Sequence, residues 1–294
     1  MAAMVLMLSV SFFLALAFWL PAHRLKRALC RPFPLGFSAI LSKNIPAYSR
    51  MPARLQLQLQ MLVKQFLHEK KFIACDDMHL TDEVRVTIAG KACMLLLNRK
   101  PRVYPELSQI LVYPSAFVAP RSEIGIGGIV TCADQNLAGE SWSDGRVILA
   151  WDHVMQSAAE YSNGHNVVLH EFAHQLDSET GGTNGAPLLP SRARYQSWST
   201  VLSQEFASLQ QAARHQAEAQ ADYFGEYPAE NETANHAANQ GWGVIDLYGA
   251  TNPAEFFAVV TETFFEKPAE LAQFHPALYG EFRKLYRVDP RDWQ

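Results

Sequence analysis

Cysteine is scarce and scattered in this chain of 294 residues. Its four cysteines, Cys30, Cys75, Cys93 and Cys132, form no C-x-x-C pair. That spacing excludes a disulfide framework and a cysteine-based zinc knuckle, and it fits a reducing compartment. An excess of positive charge is missing too. Lys and Arg number 25 against 29 Asp and Glu, a net charge of −4, and no basic stripe carries interleaved aromatics. Nucleic acid is therefore not an expected partner. No internal repeat appears, so the length reads as one large domain or two small ones.

Charge of either sign is absent from Met1 to Leu20, where Ser9 and Ser11 are the only hydroxyl residues. Twenty helical residues span roughly 30 Å, the thickness of a bilayer core. Pro21 ends the run, and Arg24, Lys26, Arg27 and Arg31 follow at once. Positive charge after the span and none before it predicts a single-pass anchor of the inner membrane, with the remaining chain in the cytoplasm. The competing reading is a signal peptide cleaved near Ala15-Leu16-Ala17, giving a secreted protein. It lacks the positive n-region, and its apolar run is long.

What the chain does have is Val167-Val168-Leu169-His170-Glu171-Phe172-Ala173-His174-Gln175-Leu176-Asp177, which contains H-E-x-x-H. On a helix, His170 and His174 lie one above the other on one face, and two imidazoles so placed can bind one zinc ion. Glu171 projects close by and can take a proton from a zinc-bound water. The surrounding residues are apolar nearly all round, so the helix is buried. Polar side chains in such a helix are costly unless paired or bound to metal.

Around this stretch the pattern predicts an α+β protein, helix-rich with a small mixed sheet. Residues 21–51 read as a linker, with Pro32, Pro34, Gly36 and Pro46 and no sustained period. From Pro52, Leu55, Leu59, Leu62, Val63 and Phe66 line one helix face, and Asp77 to Arg99 predicts a second helix with Thr81 as N-cap. Gln109 to Tyr113 is a strand. Gly125, Gly127 and Gly128 break another around Ile124 to Thr131. Asp144-Gly145, between Ser141-Trp142 and Arg146 to Trp151, signals a hairpin. Gly181 to Pro190 is a loop, and Arg192 to about Phe224 is helical. Residues 226–243 read as an exposed excursion. Two helices close the chain, Pro253 to Phe265 and about Pro268 to Arg287. The domains expected are an anchor at 1–20, a linker at 21–51 and a metallopeptidase domain at 52–294.

A catalytic zinc needs a third protein ligand and an open position. The metzincin pattern is excluded, because Asp177 and Thr180 stand where it needs Gly and His. The candidates are Asp177, His215, His236, Glu255 and Glu262. His215 and His236 sit in polar sequence. Asp177 either orients a ligating imidazole or closes its helix. Glu255 opens a strongly apolar helix, but Asn252-Pro253-Ala254-Glu255 is also a good capping box. Glu262, seven residues on, is a ligand, an orienting partner or an ion-pair residue.

Several separated segments carry a resemblance in order. H-E-F-A-H-Q-L-D, Leu247-Tyr248-Gly249-Ala250-Thr251-Asn252-Pro253-Ala254-Glu255-Phe256-Phe257-Ala258-Val259 and Glu262-Thr263-Phe264-Phe265 resemble the Mlc titration factor A (MtfA) family of zinc peptidases. Leu111-Val112-Tyr113-Pro114 with Phe117-Val118 is similar to it too. The likeness covers about residues 52 to 290. It implies a zincin-like catalytic core resembling that of anthrax lethal factor. It implies His170, His174 and Glu255 as zinc ligands, Glu171 as general base and Tyr248 as hydrogen-bond donor to the transition state. It also implies aminopeptidase-like action on a peptide or protein, and a transcriptional repressor as partner. The chain departs from the family in its N-terminal apolar segment and in an apparent insertion around 211–243.

Two functions are thus expected to compete. One is a zinc-dependent peptidase that uses a metal-activated water. The other is a regulatory protein that sequesters a repressor, with peptidase activity secondary. A purely structural zinc site would need a fourth ligand, and none is evident.

Overall fold

The computed structural model describes residues 19–99, 102–115, 117–124, 130–137, 139–142, 145–159, 163–223 and 243–293. The sheet at its centre runs in the order β1 (Lys71–Ala74), β2 (Gln109–Tyr113), β6 (Arg146–Ala150), β5 (Gly139–Trp142). β1, β2 and β6 are parallel, and β5 joins antiparallel at the edge. The sheet is small and mixed, as the pattern predicts. β1 went unanticipated, since four residues after a helix carry too little alternation to read. β5 and β6 pair antiparallel as the hairpin signal predicts, with Trp142 opposite Arg146, and Asp144 lies outside the described residues. Gly145 has φ +81°, and a Cβ there would lie 2.6 Å from the Glu106 carbonyl oxygen, so glycine is required. The single strand expected at 124–131 is instead two, β3 (Phe117–Ile124) and β4 (Val130–Leu137), paired antiparallel. The three glycines lie between them, outside the described residues.

Helices cover this sheet. Residues 19–30 are helical (α1), followed by α2 (Leu35–Asn44), α3 (Pro46–Arg50), α4 (Ala53–Glu69) and α5 (Asp82–Met94). The α4 face is the expected one: Leu55, Leu59, Leu62, Val63 and Phe66 are buried. Thr81 caps α5 by accepting from the Val84 N–H. Residues 21–51 are not a linker. Leu41, Ile45, Ala47, Tyr48 and Met51 lie in the core, and the Asn44 amide donates to Thr87 Oγ1 at 2.8 Å. The contact between α2 and α5 is close: a Cβ on Gly90 would lie 2.5 Å from Leu41 and from Ile45. Pro46 misled the reading because it sits at the first turn of α3, where a missing N–H costs nothing. Pro21 likewise lies within α1 rather than ending a helix.

Among the described residues no helix is long and apolar enough to cross a membrane. The expected anchor at 1–20 lies outside them, apart from Trp19 and Leu20. The excursion at 226–243 also lies outside, apart from Gly243.

After β6 come α6 (Trp151–Ala159), the motif helix α7 (Val167–Asp177) and the long α8 (Arg192–Tyr223). A 3-10 turn (Leu247–Ala250) leads into α9 (Pro253–Glu266). The last expected helix is split in two, α10 (Pro268–Phe274) and α11 (Pro276–Tyr286), because Pro276 cannot donate into a continuing helix. α7 packs against α5, β5 and α9. That packing brings together two helices far apart in sequence, both lined by core residues such as Leu169, Phe172, Phe257 and Val260.

Candidate metal centre

Asn166 opens the motif helix. Its side chain accepts from the Leu169 N–H, which caps α7 and sets where His170 and His174 fall on its face. Asn252 opens α9 in the same way, accepting from the N–H groups of Ala254 and Glu255. The cap is therefore real, but the Glu255 carboxylate points elsewhere. It meets both histidines: Oε2 lies 3.0 Å from His170 Nε2 and Oε1 lies 3.5 Å from His174 Nε2. The two Nε2 atoms are 3.2 Å apart. Among the described residues, His170, His174 and Glu255 form the group that could hold a metal ion.

The donor set fits a cation. Two imidazole nitrogens and a carboxylate face one point, and their separations of 3.0, 3.2 and 3.5 Å bracket what a small tetrahedral ion imposes. Bonds of 2.0–2.1 Å to zinc place neighbouring ligand atoms about 3.3 Å apart. The electrostatics of the site agree. Burial opposes charging His170, yet hydrogen bonds to Glu255 and Glu262 hold its imidazole well above the usual range. Burial likewise opposes ionising Glu255, yet the two histidines hold it well below the carboxylate range. The cluster attracts positive charge.

Glu262 is not a third ligand. Its Oε1 lies 2.7 Å from His170 Nδ1, on the far side of the ring from the cluster. A proton on Nδ1 donated to Glu262 leaves the Nε2 lone pair facing Glu255 and His174, the tautomer a metal needs. Its other oxygen accepts from the Asn166 N–H, and the Asn166 amide donates to Glu266 at 2.8 Å. Lys91 lies near that carboxylate. Burial pulls its ammonium down to about 8 while Glu266 partly offsets the loss. Asn166 and Glu266 were missed in the sequence. An Asn just before the apolar run is an N-cap signal and could have revealed the first.

Glu171 is buried beside the cluster. Desolvation pushes it up to about 7, against the attraction of His170 and His174. Asp177 closes the helix end instead of orienting a histidine: its Oδ2 accepts from the Gly185 N–H at 2.7 Å. Tyr248 sits on the turn before α9, its ring 6.1 Å from that of His170 and 57% exposed. His215 stands on α8 with its side chain 68% exposed, beside Glu218, and takes no part. His236 lies outside the described residues. The structure thus gathers His170, Glu171, His174, Tyr248 and Glu255.

The family model of the glucose-regulated metallo-peptidases M90 matches residues 20–287. The chain belongs to that family. An uncharacterised protein of Synechocystis is 40% identical over 91% of this chain and 89% of its own length. Mlc titration factor A of Serratia proteamaculans is 30% identical over 84% of this chain and 85% of its own. Its counterpart in Salmonella gallinarum is 31% identical over 84% of each. The resemblance drawn from separated motifs is borne out. The M90 match begins at residue 20, so it takes in the helices α2 and α3 that had read as a linker. As an M90 chain this is a metallopeptidase by family, with a His-His-Glu cluster in place to receive a metal.

Proposed function

We propose that this chain is a zinc-dependent peptidase that hydrolyses peptide bonds. The observation that carries the reading is the convergence of Glu255 on the H-E-x-x-H histidines, with Glu171 buried beside them. Zinc suits two imidazoles and a carboxylate with one position left open. Bound there, it would supply a water of lowered pKa and polarise a carbonyl. His170 and His174 would hold the ion through Nε2, and Glu262 keeps His170 in the tautomer that this needs. The Glu171 carboxylate is placed to accept a proton from a water held there and to deliver it to the leaving amine. Its burial, which raises its proton affinity, suits that task. The Tyr248 hydroxyl donates a hydrogen bond to the developing oxyanion. β5, an antiparallel edge strand packed against α7, offers backbone groups along which an extended peptide can lie. Aminopeptidase-like action is carried over from the family resemblance.

The test is a peptide-library digest by the purified chain with zinc. Glu171→Gln should keep zinc and lose about 10²–10⁴-fold in turnover, because an amide cannot act as a base. Tyr248→Phe should keep zinc and slow turnover about 10²–10³-fold. Equal hydrolysis by wild type and Glu171→Gln would sink the mechanism. Free N-termini among the products' parent peptides, with stepwise trimming, would support aminopeptidase action over internal cleavage.

A second reading draws on the relatives named Mlc titration factor A. In it the chain sequesters a transcriptional repressor and peptidase activity is secondary. Repressor capture that persists in Glu171→Gln would favour it. Either function is placed at the cytoplasmic face of the inner membrane, on an anchor formed by 1–20. The uncharged run and the following Arg24, Lys26, Arg27 and Arg31 support that placement. Membrane fractionation with protease accessibility tests it, and a shortened soluble form outside the cytoplasm would overturn it.

A further inference from the structure

Away from the metal centre, a cavity of about 390 Å³ opens where the loop after α7, the start of α8 and the end of α11 meet. Among the described residues its charged lining has one sign: Arg99, Arg194, Lys284 and Arg287. The remaining wall is apolar, made by Leu188, Leu189, Pro190 and Leu285. Two nearby acids offset part of the charge. Glu281 accepts from Arg194 Nη1 at 2.5 Å and from Lys284 Nζ at 2.9 Å, and Glu179 stands 3.5 Å from Arg99 Nη2. Arg287 has no ion pair among the described residues. A neighbouring cavity of about 300 Å³ shares Arg99 and Leu188 and adds Arg102 together with Glu106 and Glu179.

Hydrogen bonding points the same way. Arg99 Nη1 and Arg194 Nη2 are both buried, and neither has an acceptor among the described residues. The two side chains are 16% and 22% exposed, so each guanidinium is partly packed and partly open to the cavity. Buried guanidinium N–H groups without acceptors are costly, and a lining of cations that outnumbers its acids repels itself. An oxyanion in the cavity relieves the repulsion, and guanidinium groups recognise oxyanions through their fork of N–H donors. Four cations around one cavity favour the double charge of a phosphate over the single charge of a carboxylate. The apolar wall and the volume leave room for more than the ion alone. We propose that this cavity binds a small organic phosphate monoester, its phosphate among Arg99, Arg194, Lys284 and Arg287 and its organic part against Leu188, Leu189 and Leu285. The site does not depend on the peptidase reading.

Calorimetric titration of n-butyl phosphate into the full-length, zinc-loaded chain tests this, with inorganic phosphate and butyrate as comparison probes. Butyl phosphate should bind more tightly than either, and the affinity should survive removal of zinc by a chelator. Arg99→Met should weaken it about ten-fold or more, the loss expected for a charge-assisted pair. Lys284→Met and Arg287→Asn should each weaken it several-fold while leaving the fold intact. The first is exposed, and asparagine tolerates the left-handed backbone at 287, where φ is +57°. Absence of binding, or unchanged affinity in the Lys284→Met/Arg287→Asn double variant, overturns the site. Loss of binding with zinc would place the phosphate on the metal instead. Butyrate binding as tightly as butyl phosphate overturns the phosphate assignment, and inorganic phosphate doing so overturns the ester.

Discussion

The two ends of the motif helix are held by different means. At the N-terminal end each polar group has a partner: Asn166 caps the helix, bonds Glu262 and Glu266, and Glu262 grips His170 on Nδ1. At the C-terminal end His174 Nδ1 and Asp177 Oδ1 are buried without a partner among the described residues. There the helix is fixed by packing, by Asp177 accepting from the Gly185 N–H, and by the Ser178 and Thr180 hydroxyls donating to the Gln175 and Asp177 carbonyls. His170 is therefore aimed by hydrogen bonds on both ring nitrogens. His174 is aimed by its neighbours, with its ring edge-on to His170 at 4.9 Å. The lesson is that a polar array fixes a tautomer, whereas packing fixes only a ring plane.

The largest effect that would break this contrast lies at Glu255, which serves both histidines. Glu255→Gln should weaken zinc binding well beyond the roughly 100-fold typical of outer partners. The Asn252 cap and the apolar face of α9 should preserve the fold. Competition with a chromophoric chelator measures it, and wild-type affinity in this variant would remove Glu255 from the ligand set. Next comes Glu262→Gln, which touches the N-terminal end alone. Zinc affinity should fall about 10–100-fold, since the amide does not hold the Nδ1 proton as firmly. Its pH profile sharpens the point. In the metal-free protein the His170 pKa is raised, so protons compete with zinc from above the ordinary imidazole range and affinity falls as pH falls. Removing the Glu262 charge should move that loss to lower pH. The smallest effect belongs to the other end. Asp177→Asn should leave zinc affinity within about a few-fold and cost about 1 kcal/mol of stability, the worth of one hydrogen bond. If Asp177→Asn weakened zinc as much as Glu262→Gln, the two ends would not differ.

Much of this centre was legible because H-E-x-x-H encodes its own geometry: four residues on a helix place two rings on one face whatever the fold. Glu255 was ambiguous for a physical reason that the structure makes plain. Its backbone N–H does take the Asn252 cap, so the capping signal was true, and only its side chain belongs to the metal site. The roles of Glu262 and Asp177 could not be separated by spacing, because each depends on which element lies across from it. The same limit hid α2 and α3. Pro46 reads as a breaker until its place at the start of a helix is known, and Leu41 and Ile45 look like scattered apolar residues until Gly90 is set against them.

One feature of the centre bears on when it can form. His170 meets Glu255 across 85 residues of sequence and Glu262 across 92. A growing chain that has released α7 but not α9 holds two histidines without their carboxylates. Metal capture then waits until the chain beyond residue 262 has emerged and packed, and the ion acts as a clasp between helices that are already formed. A chain truncated before Pro253 should take up zinc no better than any protein with a stray pair of histidines.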